Sequence, residues 1–148
     1  MLSRRIDIFR ILAVAAFLLP AGPAEQTMGV SIDVRPDDPP PTIVAPRSGG
    51  MLPVGLLTGD GFDALTAAPA TLRLGPTGAE AVPVRVNRID VDGDGDTDLQ
   101  LFFAVQETGV QCETTFLILR GRTTEGQEFE GSEPIVTEGC VAPTPAIP

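Results

Sequence analysis

Between Asp90 and Asp98 the chain reads Asp-Val-Asp-Gly-Asp-Gly-Asp-Thr-Asp, five carboxylates on alternate residues with glycine in two of the four gaps. Carboxylates at this density repel one another, and a cation among them relieves the repulsion. Calcium takes about six to eight oxygen ligands, and a loop opening D-x-[DN]-x-[DN]-G turns three carboxylates to one side while its glycine permits the sharp bend. Asp90, Asp92, Asp94 and Gly95 match that opening. Asp96 falls where the backbone carbonyl is offered, and Asp98 falls at the ninth loop position, which ligates directly or through water. The twelfth position is Leu101, so the bidentate Glu of an EF-hand is missing. A plain hairpin turn needs only one Asp-Gly pair and gains nothing from five alternating carboxylates. The expected metal residues are therefore Asp90, Asp92, Asp94, Asp96 and Asp98, with Ca2+ as the ion.

The flanks of this loop are not helical. After it, Leu99, Leu101, Phe103 and Val105 recur at period two; before it, Val82, Val84 and Val86 alternate with Pro83 and Arg85. Both stretches read as half-buried strands, the first near a sheet edge because proline lacks a ladder donor. A loop joining two strands is not the helix pair that a calcium sensor opens.

At the start of the chain, Arg4, Arg5 and Arg10 precede an apolar run from Ile11 to Leu19 that Pro20 closes. Such a run is too short to span a bilayer and matches a secretory signal, with Gly22 and Ala24 suiting a cleavage site after Ala24. Residues 1–24 are thus expected to leave a secreted chain with no membrane insertion, one domain over residues 25–140 and a proline-rich tail over 141–148. Removing the signal takes away three of ten basic and one of twenty acidic residues, so the remainder carries 7 minus 19, a net −12. With no basic stripe to displace counterions from phosphate, nucleic acid is excluded as a partner.

The chain has no His, Lys, Trp or Tyr. Their absence removes Ser-His and Cys-His nucleophile pairs, Schiff-base lysines and imidazole metal sites. A hydrolase working with two carboxylates, such as a glycosidase, survives as the alternative reading. It lacks aromatic sugar platforms, because Phe62, Phe102, Phe103, Phe116 and Phe129 read mostly as core. The expectation is a non-catalytic protein.

The remaining strands follow from alternation and punctuation. Val30, Ile32 and Val34 make a first strand ended by Pro36, and residues 36–50, with four more prolines after that stop and Gly49-Gly50, read as an extended surface connection. Leu52 to Leu57 is a buried strand expected to begin at a sheet edge, Phe62 to Leu65 a short helical turn, and Ala70 to Leu74 a strand facing inward through Ala70, Leu72 and Leu74. Thr114 to Arg120 and a last strand near Ile135-Val136 complete the set. Seven or eight short strands with turn signals every 8 to 12 residues predict an all-β, antiparallel β-sandwich of immunoglobulin-like type, with a small barrel as second choice.

Ile32-Asp33-Val34-Arg35-Pro36, Leu52-Pro53-Val54-Gly55-Leu56-Leu57, Phe62-Asp63-Ala64, residues 69–76, the Asp90 to Leu99 loop, Glu107-Thr108-Gly109 and residues 129–132 together resemble a calcium-binding β-sandwich module of bacterial and archaeal secreted and surface proteins. The acidic loop is similar to those of the FG-GAP and dockerin families, which implies Asp90, Asp92, Asp94 and Asp98 as ligands. Pro39, Pro40, Pro41 and Pro46 replace an Asn- and Lys-rich stretch of similar modules, so nothing is carried over from that segment.

Cys112 and Cys140 form an even pair, which in an oxidising compartment reads as a disulfide tying the end of the last strand to the start of the Thr114 strand. The sequence thus predicts a secreted, extracellular calcium-binding module with a binding or structural role toward an extracellular protein or glycan that its residues do not name.

Overall fold

In the computed structural model, which describes residues 26–140, the alternation after the acidic loop places Leu99, Leu101, Phe103 and Val105 in the core. The proposed signal and the proline-rich tail lie outside the described residues. The strands are β1 (Met28–Gly29), β2 (Ile32–Val34), β3 (Ile43–Val44), β4 (Met51–Leu56), β5 (Arg73–Gly75), β6 (Arg85–Ile89), β7 (Asp98–Ala104), β8 (Phe116–Arg122), β9 (Glu128–Pro134) and β10 (Val136–Thr137). One sheet runs β2-β4-β7-β6, the other β1-β9-β8-β5, and β10 pairs with β3 alone. Lettering β2, β4, β5, β6, β7, β8 and β9 as A to G gives A-B-E-D in one sheet and G-F-C in the other, the strand order of a constant-type immunoglobulin sandwich. The expected fold class is observed.

One apolar cluster joins the two sheets, with Val54, Leu56 and Leu101 from the first and Leu74, Leu117, Leu119 and Phe129 from the second. Phe62 closes one side, its ring 5.0 Å from that of Phe129. Glu133 of β9 stitches the layers by accepting from the Val34 N–H and, at 2.7 Å, from the Thr42 hydroxyl. The disulfide between Cys112 and Cys140 forms as expected, with Cα atoms 5.6 Å apart.

Several expectations need correction. The described residues form ten strands rather than seven or eight: β1 and β3 are two residues long and too short to show a period, and β9, in which Phe129 is the only large apolar residue, shows no alternation; β1–β9 and β3–β10 are parallel pairs in an otherwise antiparallel fold. The 36–50 connection consequently contains β3, with Val44 buried. The strand before the acidic loop starts at Arg85, and Val82 and Val84 are 50% and 55% exposed. Its partner β7 gives way to a 3-10 turn at Val105–Glu107, so Val82, which would stand opposite Val105, has no strand to pack on.

β4 lies inside its sheet, not at the edge. Pro53 is tolerated there because its missing donor faces the point where β2 stops. The Pro53 carbonyl still accepts from the Arg35 N–H, while Arg35, at φ 59°, turns its own carbonyl to the Asp38 N–H. Ala70 is exposed in a 3-10 turn over Pro69–Thr71, and only Leu72 and Leu74 of the expected face reach the core. Phe102 and Phe116 are likewise not core residues: Phe102 lies under the Arg85 guanidinium, 4.0 Å away, and Phe116 is exposed. β8 and β10 are displaced by one or two residues from the expected spans, and the expected helical turn occurs as a 3-10 turn over Ala64–Thr66.

Candidate metal centre

The acidic loop is the connection between β6 and β7, and it is organised by its own carboxylates. Asp90 accepts from the backbone N–H groups of Gly93 at 2.8 Å and Asp94 at 3.2 Å through Oδ1, and from Gly95 at 2.9 Å through Oδ2. Asp92 accepts from the Asp94 N–H at 3.3 Å, and Asp94 from the Asp96 N–H at 2.9 Å. These bonds wind the backbone into a chain of Asx-type turns. Gly93 and Gly95 sit at φ 75° and 97°, where a side chain would strain the backbone, so their identity is part of the loop's shape.

As a result, Asp90, Asp92, Asp94 and Asp98 each bring a carboxylate oxygen within 4.8 Å of the others. The cluster can hold a metal ion, and its donor chemistry is all hard oxygen, with lone pairs left over after the backbone bonds. The Asp96 carboxylate is outside this group. Leu101, at the twelfth loop position, is fully buried in the core and offers no oxygen from its side chain.

Asp98 differs from the other three in having 0% exposure. Its Oδ1 accepts from the Thr58 N–H at 2.8 Å and its Oδ2 from the Val91 N–H at 2.7 Å. Thr58 adds a second tie, donating its hydroxyl to the Thr97 carbonyl at 2.8 Å and accepting from the Ala64 N–H at 3.0 Å. The partners that tie Thr58 to the loop, Asp98 and Thr97, lie about forty positions away, and no local pattern announces them. Val91 seats the loop on the sheet: a Cβ built on Gly55 of β4 would stand 2.8 Å from the Val91 Cγ1.

The cluster bears the electrostatic mark of crowded like charges. Loss of water among its neighbours, together with the negative charges of Asp94 and Asp98, holds the Asp92 carboxyl above its ordinary value, although the Asp94 N–H pulls the other way. A cation at the cluster would reverse that balance.

Among the described residues no helix is long and apolar enough to cross a membrane. The disulfide fits an extracellular protein. The chain matches no protein-family model, no curated protein and no solved structure.

Proposed function

We propose that this protein is a secreted, non-catalytic module whose β6–β7 loop binds Ca2+, and that the ion locks a strand junction of an immunoglobulin-like sandwich serving a binding or structural role outside the cell. The convergence of Asp90, Asp92, Asp94 and the buried Asp98 is the observation that carries this reading. Calcium is favoured over magnesium because the latter demands near-octahedral geometry and gives up water reluctantly, while a glycine-rich loop with many oxygens suits a larger ion. The Asp96 backbone carbonyl completes the assignment. The signal-like start of the chain, the disulfide and the net charge of −10 are consistent with a soluble life outside the cell.

An ion bound only by the native state stabilises it by about 2.7 kcal/mol at a hundredfold excess over Kd, and extracellular modules of this kind work at a Kd on the order of 10⁻⁴ to 10⁻³ M. Melting after chelation, then with millimolar calcium or magnesium, tests the proposal. Calcium should raise the melting temperature more than magnesium; Asp90→Ala and Asp94→Ala should abolish the rise, and Asp96→Ala should weaken it less. A melting curve indifferent to calcium rejects it.

A further inference from the structure

On the outer face of the β1-β9-β8-β5 sheet lies a groove of about 760 Å³ lined by Arg73, Arg120, Arg122, Glu128, Glu130 and Thr27 among others. Three of the chain's ten basic residues meet there, on a protein whose net charge is −10. The rows across the sheet are set by register. Arg73 stands directly opposite Arg120, which stands opposite Glu130, and Arg122 stands opposite Glu128. Like charges directly opposed on one sheet face destabilise the pair, so the fold itself gives no reason for the Arg73–Arg120 juxtaposition.

The guanidinium groups are held in place with donors to spare. Arg120 gives its Nε to Glu130 at 2.7 Å, leaving both terminal nitrogens free of that bond. Arg122 gives one terminal nitrogen to Glu128 at 2.6 Å. Arg73 spends only Nη1 among the described residues, on the Leu72 carbonyl at 2.8 Å and the Ala70 carbonyl at 3.1 Å, and has no carboxylate partner among them. Gly78 at φ 80° brings the 75–78 turn against the Arg120 stem, where an added Cβ would fall 2.9 Å from Cγ. An arginine fork with free parallel donors recognises a planar carboxylate bidentately.

We infer that this groove binds a carboxylate-bearing sugar, a uronate unit of an acidic glycan, through Arg73 and Arg120. A glycan fits better than an acidic peptide because the groove lies on a sheet face whose backbone groups are spent in the β5–β8–β9 ladder, so a peptide gains no main-chain bonds there and only its carboxylates are held, whereas a uronate brings ring hydroxyls as well. Here the edge of β5 is closed by reciprocal bonds between Leu74 and Ala81, and β9 is flanked by β1. The groove offers side-chain donors and a hydroxyl instead, which suit a polyhydroxylated ring bearing one charge. This site is on the sheet opposite the acidic loop, and its failure leaves the calcium proposal standing.

The test is calorimetric titration of the calcium-loaded protein with trigalacturonate, maltotriose, triglutamate and sodium sulfate. Trigalacturonate should bind in the millimolar range or tighter, more weakly as salt rises, and maltotriose should not. Arg73→Gln and Arg120→Gln should each weaken trigalacturonate binding by about tenfold or more at unchanged melting temperature, whereas Arg47→Gln, on an exposed loop elsewhere, should not. Absent binding, or binding untouched by both groove variants, overturns the inference. Triglutamate binding as tightly would overturn the glycan as ligand, and sulfate binding as tightly would overturn the preference for a planar carboxylate.

Discussion

Asp98 is placed to serve the acidic loop twice, as a member of the carboxylate cluster and as the peg that fixes the loop to the fold, and the two roles are separable. Replacing it with alanine leaves the Thr58 and Val91 N–H groups, which now donate at 2.8 and 2.7 Å, facing a fully buried void. Each stranded donor costs about 1 to 3 kcal/mol, and the bonds lost are to a charged acceptor. The sum is about 2 to 6 kcal/mol, a large share of the 5 to 15 kcal/mol that holds a typical domain together. Asp90→Ala removes bonds from an exposed loop and also relieves repulsion, so it should cost well under half as much. Urea unfolding in the presence of a chelator measures both without any contribution from metal. Asp98→Ala should lower the midpoint sharply at unchanged slope, while Asp90→Ala should shift it little; added calcium should then widen the gap between Asp90→Ala and wild type. Equal losses for the two variants in chelator would refute the assignment of Asp98 as a structural peg.

Gly55→Ala should destabilise the fold by about 1 to 3 kcal/mol and weaken calcium binding, since the new methyl displaces Val91; pairing it with Val91→Ala should restore most of the stability, and an additive double mutant would contradict the contact. Cys112→Ser with Cys140→Ser should cost about 3 to 4 kcal/mol in urea unfolding for a bond closing a separation of 28 residues; an unchanged midpoint would show that the link does no stabilising work. Partial burial, then the charges of Glu133 and Asp37, hold the Asp33 carboxyl above its ordinary value of 3.8, so ionised Asp33 destabilises the native state, and that penalty is relieved as pH falls through the raised value. Asp33→Asn should therefore raise the melting temperature near neutral pH, with the gain fading as pH falls through the raised value and gone below the ordinary one; a gain independent of pH would point to packing instead.

Much of this protein is written locally. The alternating aspartates specify the turns that gather them, because an Asx turn needs only a carboxylate and a donor two or three residues on. The period-two run from Leu99 to Val105 specifies a strand with one buried face, and repeated short strands between turn signals specify a sandwich. What the sequence could not convey depends on neighbours distant along the chain. That β4 is central despite Pro53 depends on where β2 stops, and that Val82 stays in solvent depends on where β7 bends away. β1, β3 and β10 exist only because a partner passes beside two residues. The same holds at the site: an aspartate at the ninth loop position looks like any other carboxylate until Thr58, forty residues upstream, is folded against it. Local patterns fix backbone conformation through short-range sterics and hydrogen bonds, whereas the burial of Asp98 and the opposition of Arg73 to Arg120 are set by strand register, which only the packed sheets decide.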